Sequence, residues 1–329
     1  MEQTFIEILR RALDEEMTRD ASIHLLGEDV AVGGAFGVTR GLAEKHGRER
    51  VRNTPISEAA ITGLATGAAL CGLKPVLEIM FIDFATLAMD CLINQTAKYR
   101  YMSGGQLAVP LVVRTQAGAA GGAAAQHSQS LETWFIHVPG LIVVAPSSPA
   151  EAYGLLKSSI RLGEPVLFVE HKRLYAMKEA LADGAELPSI GQARVARAGE
   201  DVTLIAYSAM VRSALEAAED LARTGISAEV IDLRTLVPLD MATIADSVAR
   251  THRVVIAHEA VLNGGAGAEI AARIGTQLFD ELDTPVLRVG CAFAPIPFAP
   301  QLEQALLPGR AGIVRAVRQM LGADDPVRE

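Results

Sequence analysis

Cysteine is scarce in this chain, and what there is stands apart. Cys71, Cys91 and Cys291 form no CxxC pair, and an odd total leaves no complete disulfide framework. They read as three reduced, mostly buried thiols of a reducing compartment, which makes the cytoplasm the expected location. Seven histidines show no HExxH-type spacing, which argues against a zinc site built from this chain alone. There is no run rich in lysine and arginine, and the net charge of −9 disfavours non-specific binding to nucleic acid or anionic lipid. No apolar run approaches the ~20 residues needed to span a bilayer. The N-terminus, MEQTFIEILRRALDEEMTRD, reads as an acidic amphipathic helix and not as a signal peptide.

Phosphate-binding loops are missing too. GxxxxGK[ST] does not occur. The nearest approach to GxGxxG, Gly265 to Ile270, lacks the third glycine and carries Glu269 in the turn. It reads as a tight strand-to-helix connection, so a nicotinamide-dependent dehydrogenase would lack its dinucleotide site. The chain therefore has the size of a catalyst without a place for a cofactor's phosphates, which suggests half of an active site completed by another chain.

What is present is an α/β pattern. At 329 residues two domains are expected, each large enough for its own core. Aromatics make up only 5%, so closely packed aliphatic strands and small-residue helices must supply the interior. In the first half, a helix over 2–20 precedes strands at 22–26, 75–81, 109–115, 141–146 and 165–170, with a short extended run closing at Arg52. Helices are expected over 83–101 and 149–161. This spacing predicts one parallel sheet. Periodicity fails from Lys172 to Gln192, which places a linker at 176–192 between domains 1–175 and 193–329. The second domain is expected to carry strands at 201–206, 228–233, 253–258 and 285–289. Its helices are expected near 210–223, 240–251, 265–279 and 302–321.

Chemistry concentrates in three stretches. Gly27-Glu28-Asp29 leads into a glycine-rich loop at the carboxyl end of a strand, where ligands collect in open α/β sheets; turn formation is the plainer account of both acids. Thr54-Pro55 signals a helix start, with Pro55 at the first helical position. Glu58 then stands in the first turn of a helix of small residues. A first-turn glutamate often does no more than complement the helix dipole. Gly63 and Gly67, spaced i, i+4, imply a very close neighbour, since glycine there costs about 1 kcal/mol relative to alanine. Finally, Ala117–Ser130 is too rich in Gly and Ala to pack a core. It reads as a ligand-facing or interface loop that delivers Gln126-His127-Ser128-Gln129 to a fixed place.

Eight segments in order carry a resemblance. They are GEDV (27–30), RVRNTPISE (50–58), KPVLEIMFIDF (74–84), NQTAKYRYMSGG (94–105), AQHSQSLETWF (125–135), HVPGL (137–141), IDLRTLVPLD (231–240) and HEAVLNGGAGAEIAA (258–272). Nearly the whole chain resembles the beta subunit of the thiamine diphosphate-dependent, decarboxylating component of 2-oxo acid dehydrogenase complexes. Pyruvate, branched-chain and acetoin enzymes belong to this family; SQSLETWF and FVEHKRLY look more like the acetoin members.

The resemblance implies a pyrimidine-binding domain of transketolase type followed by a transketolase C-terminal domain. It also implies an alpha subunit that holds the diphosphate and Mg2+ through a GDG…N motif. That motif is absent here, the only near match being Asp183-Gly184 in the linker. An alpha2beta2 heterotetramer serving a lipoyl-bearing dihydrolipoyl acyltransferase is the implied assembly. By the same resemblance Glu58 would hydrogen-bond a ring nitrogen of the aminopyrimidine, Phe84 would lie over that ring, and Glu28 would border the cofactor. His127 would be the active-site histidine that moves protons or orients the lipoyl acceptor. Proton sharing at Glu58 requires burial to offset the helix N-terminus. Some relatives hold a monovalent cation near Leu111 and 159–164; where they carry an aspartate, this chain has Leu162.

Overall fold

A computed structural model describes residues 2–181, 184 and 186–322. Asp183, noted above in the linker, lies outside the described residues. The strands of the first half are β1 (Glu2–Thr4), β2 (Ile23–Gly27), β3 (Val51–Asn53), β4 (Lys74–Ile79) and β5 (Val112–Ala117). After them come β6 (Ile142–Val144), β7 (Val166–His171) and β8 (Lys178–Ala180). The second half contributes β9 (Arg194–Arg197), β10 (Val202–Ala206), β11 (Ala228–Asp232), β12 (Thr235–Val237), β13 (Val254–Val261) and β14 (Leu287–Cys291).

Seven strands form the first sheet in the order β12-β6-β7-β5-β4-β2-β3, parallel except for the β12 edge. Every residue of β5 and β7 is buried, as expected of strands covered on both faces. A five-stranded sheet, β14-β13-β10-β11-β9, is parallel except for β9. One apolar core runs between the two: Leu77, Val113, Phe135 and Leu167 share it with Ile205, Ile231 and Ile256. β12 reaches back from the second half to pair with β6.

Several expectations are corrected. Glu2–Thr4 is not helical but pairs antiparallel with Lys178–Ala180, inside the stretch read as linker. The helix begins at Phe5 because Thr4 and Glu7 form a reciprocal capping box. Pro55 is not at a first helical position. Thr54 donates its N–H to the Gly27 carbonyl at 3.0 Å, prolonging the strand pairing, so the chain turns through 55–57 and the helix is Glu58–Leu70. A Cβ on Gly63 would meet Cys91 Sγ at 3.4 Å, but one on Gly67 would meet nothing within 4 Å, so only the first has a close neighbour in this chain.

The single helix expected over 83–101 is three pieces: a 3-10 turn Phe84–Ala88, a π-helix Cys91–Thr96 and a turn of α-helix Tyr99–Met102. The wide π turn seats the Thr96 hydroxyl against that of buried Thr66, 2.7 Å away. The closing helix is divided into Pro300–Leu306 and Arg310–Met320, because Pro308-Gly309 cannot continue the first. Of the thiols, only Cys291 is buried; Cys71 is exposed and Cys91 half-buried.

Candidate active site

Five chemistry-bearing segments leave the carboxyl edge of the parallel sheet, the edge where ligands bind in such folds. β2 ends at Gly27 and delivers Glu28. β3, its neighbour, ends at Asn53 and leads to Glu58. β4 leads to Phe81 and Phe84, β5 to the His127 loop, and β7 to His171 and Lys172.

Glu58 is the first residue of its helix and only 7% exposed. Its N-cap, Ser57, makes no side-chain capping bond. Glu28 is half-buried and its Oε1 is buried with no hydrogen-bond partner. Burial raises the Glu28 pKa, and the charges of Glu58 and Asp29 add to the rise. Two acids with no ion-pair partner among the described residues thus follow adjacent strand ends, near enough for the charge of Glu58 to act on Glu28.

Phe84 and His127 meet edge-to-face with ring centroids 5.3 Å apart, and Phe81 completes the cluster at 4.8 Å from the His127 ring and 5.6 Å from Phe84. Among the described residues no hydrogen bond or ring contact joins this cluster to the Glu28–Glu58 pair. The structure therefore brings the four residues named from the sequence together as two pairs along one sheet edge.

The 117–131 loop is fixed by its backbone. Ala119 donates its N–H to Glu259 at 2.7 Å, and Gly121 and Gly122 donate to Glu303 at 2.9 and 3.0 Å. Both acids belong to the second half of the chain. Glu259 also accepts from Arg173 and stands 3.0 Å from His171 Nε2. Although Glu259 is buried, His171, Arg173 and the Ala119 amide together hold its pKa down at about 2. Arg173 donates its backbone N–H to His171 Nδ1, which turns the opposite ring nitrogen, Nε2, towards Glu259. Next to this group Tyr207 donates to Glu132 at 2.6 Å across the same junction.

Lys172, Glu259 and Glu303 were not singled out from the sequence. Two of them sit in segments that carried the resemblance, FVEHKRLY and HEAVLNGG, where ordinary strand-end patterning hid them. Of the positions named for a cation, the Leu111 carbonyl accepts the Val166 N–H at 2.9 Å, and the exposed Leu162 side chain offers no oxygen.

Residues 1–178 match the transketolase pyrimidine-binding domain and residues 191–313 the transketolase C-terminal domain. The chain therefore belongs to the transketolase-type pyrimidine-binding proteins. Within that class it falls in the family of beta subunits of two-subunit dehydrogenase components. It is 48% identical to the pyruvate dehydrogenase E1 component subunit beta-2 of Oryza sativa subsp. japonica, over 97% of this chain and 86% of that one. It is 45% identical to the acetoin:2,6-dichlorophenolindophenol oxidoreductase subunit beta of Cupriavidus necator, over 95% of this chain and 96% of the other. A solved split-gene transketolase, described as an inactive beta4 tetramer, superposes with a TM-score of 0.80 at 25% identity, covering 98% of this chain and 99% of that one.

Proposed function

We propose that this chain is the beta subunit of a thiamine diphosphate-dependent 2-oxo acid dehydrogenase of the pyruvate type, active with an alpha subunit in an alpha2beta2 assembly. The observation that carries the reading is the pair of a buried Glu58 and a half-buried Glu28. Among the described residues no cation pairs with either acid, and Glu28 Oε1 is buried without a hydrogen-bond partner. An aminopyrimidine offers such a pair an amino group that donates and a ring nitrogen that can take up a carboxyl proton, so the residues fit the group. The cofactor, when bound, supplies a thiazolium carbon that adds to the substrate carbonyl and takes up the electron pair released on cleavage.

The protein's share is positional and protonic. Glu58, as the carboxylic acid, donates to a pyrimidine ring nitrogen and shares its proton with it, while Glu28 borders the same ring. Phe84 packs against the ring, with Phe81 and His127 behind it. His127 moves a proton at the substrate oxygen or orients the lipoyl acceptor. The diphosphate and Mg2+ fall to the alpha subunit, consistent with the lack of a phosphate loop here. A lipoyl-bearing dihydrolipoyl acyltransferase receives the acyl group, and the assembly is placed in the cytoplasm.

The test is reconstitution. The chain with its alpha partner, thiamine diphosphate and Mg2+ should decarboxylate pyruvate and reduce 2,6-dichlorophenolindophenol, and either subunit alone should not. Acetoin cleavage is the second reading, favoured by the Cupriavidus relative of nearly equal length. Turnover of acetoin or a branched-chain 2-oxo acid in preference to pyruvate would reassign the substrate. No cofactor-dependent turnover of any of the three would sink the proposal.

A further inference from the structure

From Gly118 to Leu131 the chain that carries His127 has no regular secondary structure, and much of it is glycine and alanine. Small side chains offer little to anchor, so bonds to the backbone must set its shape. On one side those bonds come from Glu259 and Glu303, as described. On the other, Lys172 Nζ donates to the His127 carbonyl at 2.7 Å. Lys172 also stands over the Phe81 ring at 5.2 Å, and Phe81 edges onto the His127 imidazole. The lysine thus reaches His127 through its carbonyl and, at one remove, through its ring.

The charges of three carboxylates, Asp83, Glu259 and Glu303, act on the Lys172 ammonium. Each of them also grips the loop, Asp83 by accepting from the Gln129 side chain at 2.8 Å. Lys172 is only 8% exposed, and burial brings its pKa down to about 8 against the pull of these acids. An ammonium kept where it is poorly hydrated, within the field of acids that all bond one loop, adds their attraction to its own hydrogen bond to that loop at the His127 carbonyl.

We infer that Lys172 is a positioning residue for His127, holding the 118–131 loop in its working conformation between Asp83 on one side and Glu259 and Glu303 on the other. This rests on the site role of His127 proposed above. The experiment uses the reconstituted complex with wild-type chain, Lys172→Met and Lys172→Arg. Lys172→Met should lower kcat about tenfold or more while half-saturation by thiamine diphosphate moves less than about threefold. Hydrogen exchange of peptides covering 118–131 should speed up with the rest of the chain unchanged. Lys172→Arg keeps the charge and the donors. It should retain kcat within about threefold, and its alkaline limb should move to higher pH because the guanidinium stays charged.

Glu303→Gln, on the opposite side of the loop, should also speed that local exchange. This second variant serves if Lys172→Met does not assemble. The inference is overturned if Lys172→Met keeps kcat within about twofold, or if loop exchange is unchanged in both Lys172→Met and Glu303→Gln. A wild-type complex that neither binds cofactor nor turns over would instead remove the proposed function, so the two failures are told apart.

Discussion

The Glu259 carboxylate accepts the Ala119 N–H at 2.7 Å, joining residues 140 positions apart in the chain. This bond lets an acid of the second domain set the start of the loop that carries His127. The carboxyl sits well below its ordinary pKa, at about 2, so the folded state releases its proton more readily than the unfolded chain does. Its contribution is therefore present above about pH 4.5 and lost as pH falls from there towards 2. A depression of that size corresponds to about 3 kcal/mol. Glu259→Gln should lower the Tm of the chain by several degrees at pH 7 and much less at pH 3, as read by thermal unfolding. An equal drop at both pH values would show that the charge of Glu259 contributes nothing.

Glu58→Gln keeps the shape of the buried side chain and removes its proton chemistry. Turnover of the reconstituted complex should fall about 100-fold or more, with assembly intact. Steady-state decarboxylation is the check, and a variant within a few-fold of wild type would take Glu58 out of its assigned role.

His127→Ala should impair transfer to a lipoyl domain by about 10- to 100-fold and leave thiamine diphosphate binding nearly as it was. Single-turnover acyl transfer and cofactor titration separate the two effects. A parallel loss of cofactor affinity would make His127 part of the cofactor cradle instead.

Two glycines of the loop make a controlled comparison. Gly118 has φ +80°, and a Cβ there would stand 2.1 Å from His171 Nε2; Gly121 has φ +75° with nothing within 4 Å. Gly121→Ala therefore bears only the left-handed backbone penalty of about 1–2 kcal/mol. Gly118→Ala adds a collision that must push His171 away from Glu259. Denaturant unfolding should show Gly118→Ala as the more destabilised by at least about 1 kcal/mol, and equal losses would mean that His171 moves aside freely.

The parallel character of the first sheet was legible because β4, β5 and β7 each contain an apolar stretch (75–77, 112–113 and 166–169) between helical segments, as strands covered on both faces do. Glu58 and the His127 loop were legible because one is a lone acid on a small-residue helix and the other a tract too poor in side chains to pack. The 3-10 and π breaks within 84–96 were not, since Phe84, Leu87, Cys91 and Gln95 keep nearly helical spacing. What widens the turn is a hydroxyl contact with Thr66, thirty residues away. β12 escaped notice for a similar reason: three residues of the second half pair with an edge strand of the first.

By itself, then, the sequence determined local matters: which runs become strands and which segment has nothing to bury and must be pinned from outside. Only the tertiary structure decided what does the pinning. The acids at 259 and 303 and the amine at 172 are ordinary in their own neighbourhoods, and they become a clamp only when two sheets close over one core. Periodicity reports how a residue meets its own helix or strand, whereas the bond from an acid to an amide 140 positions away is fixed by the packing of the whole chain.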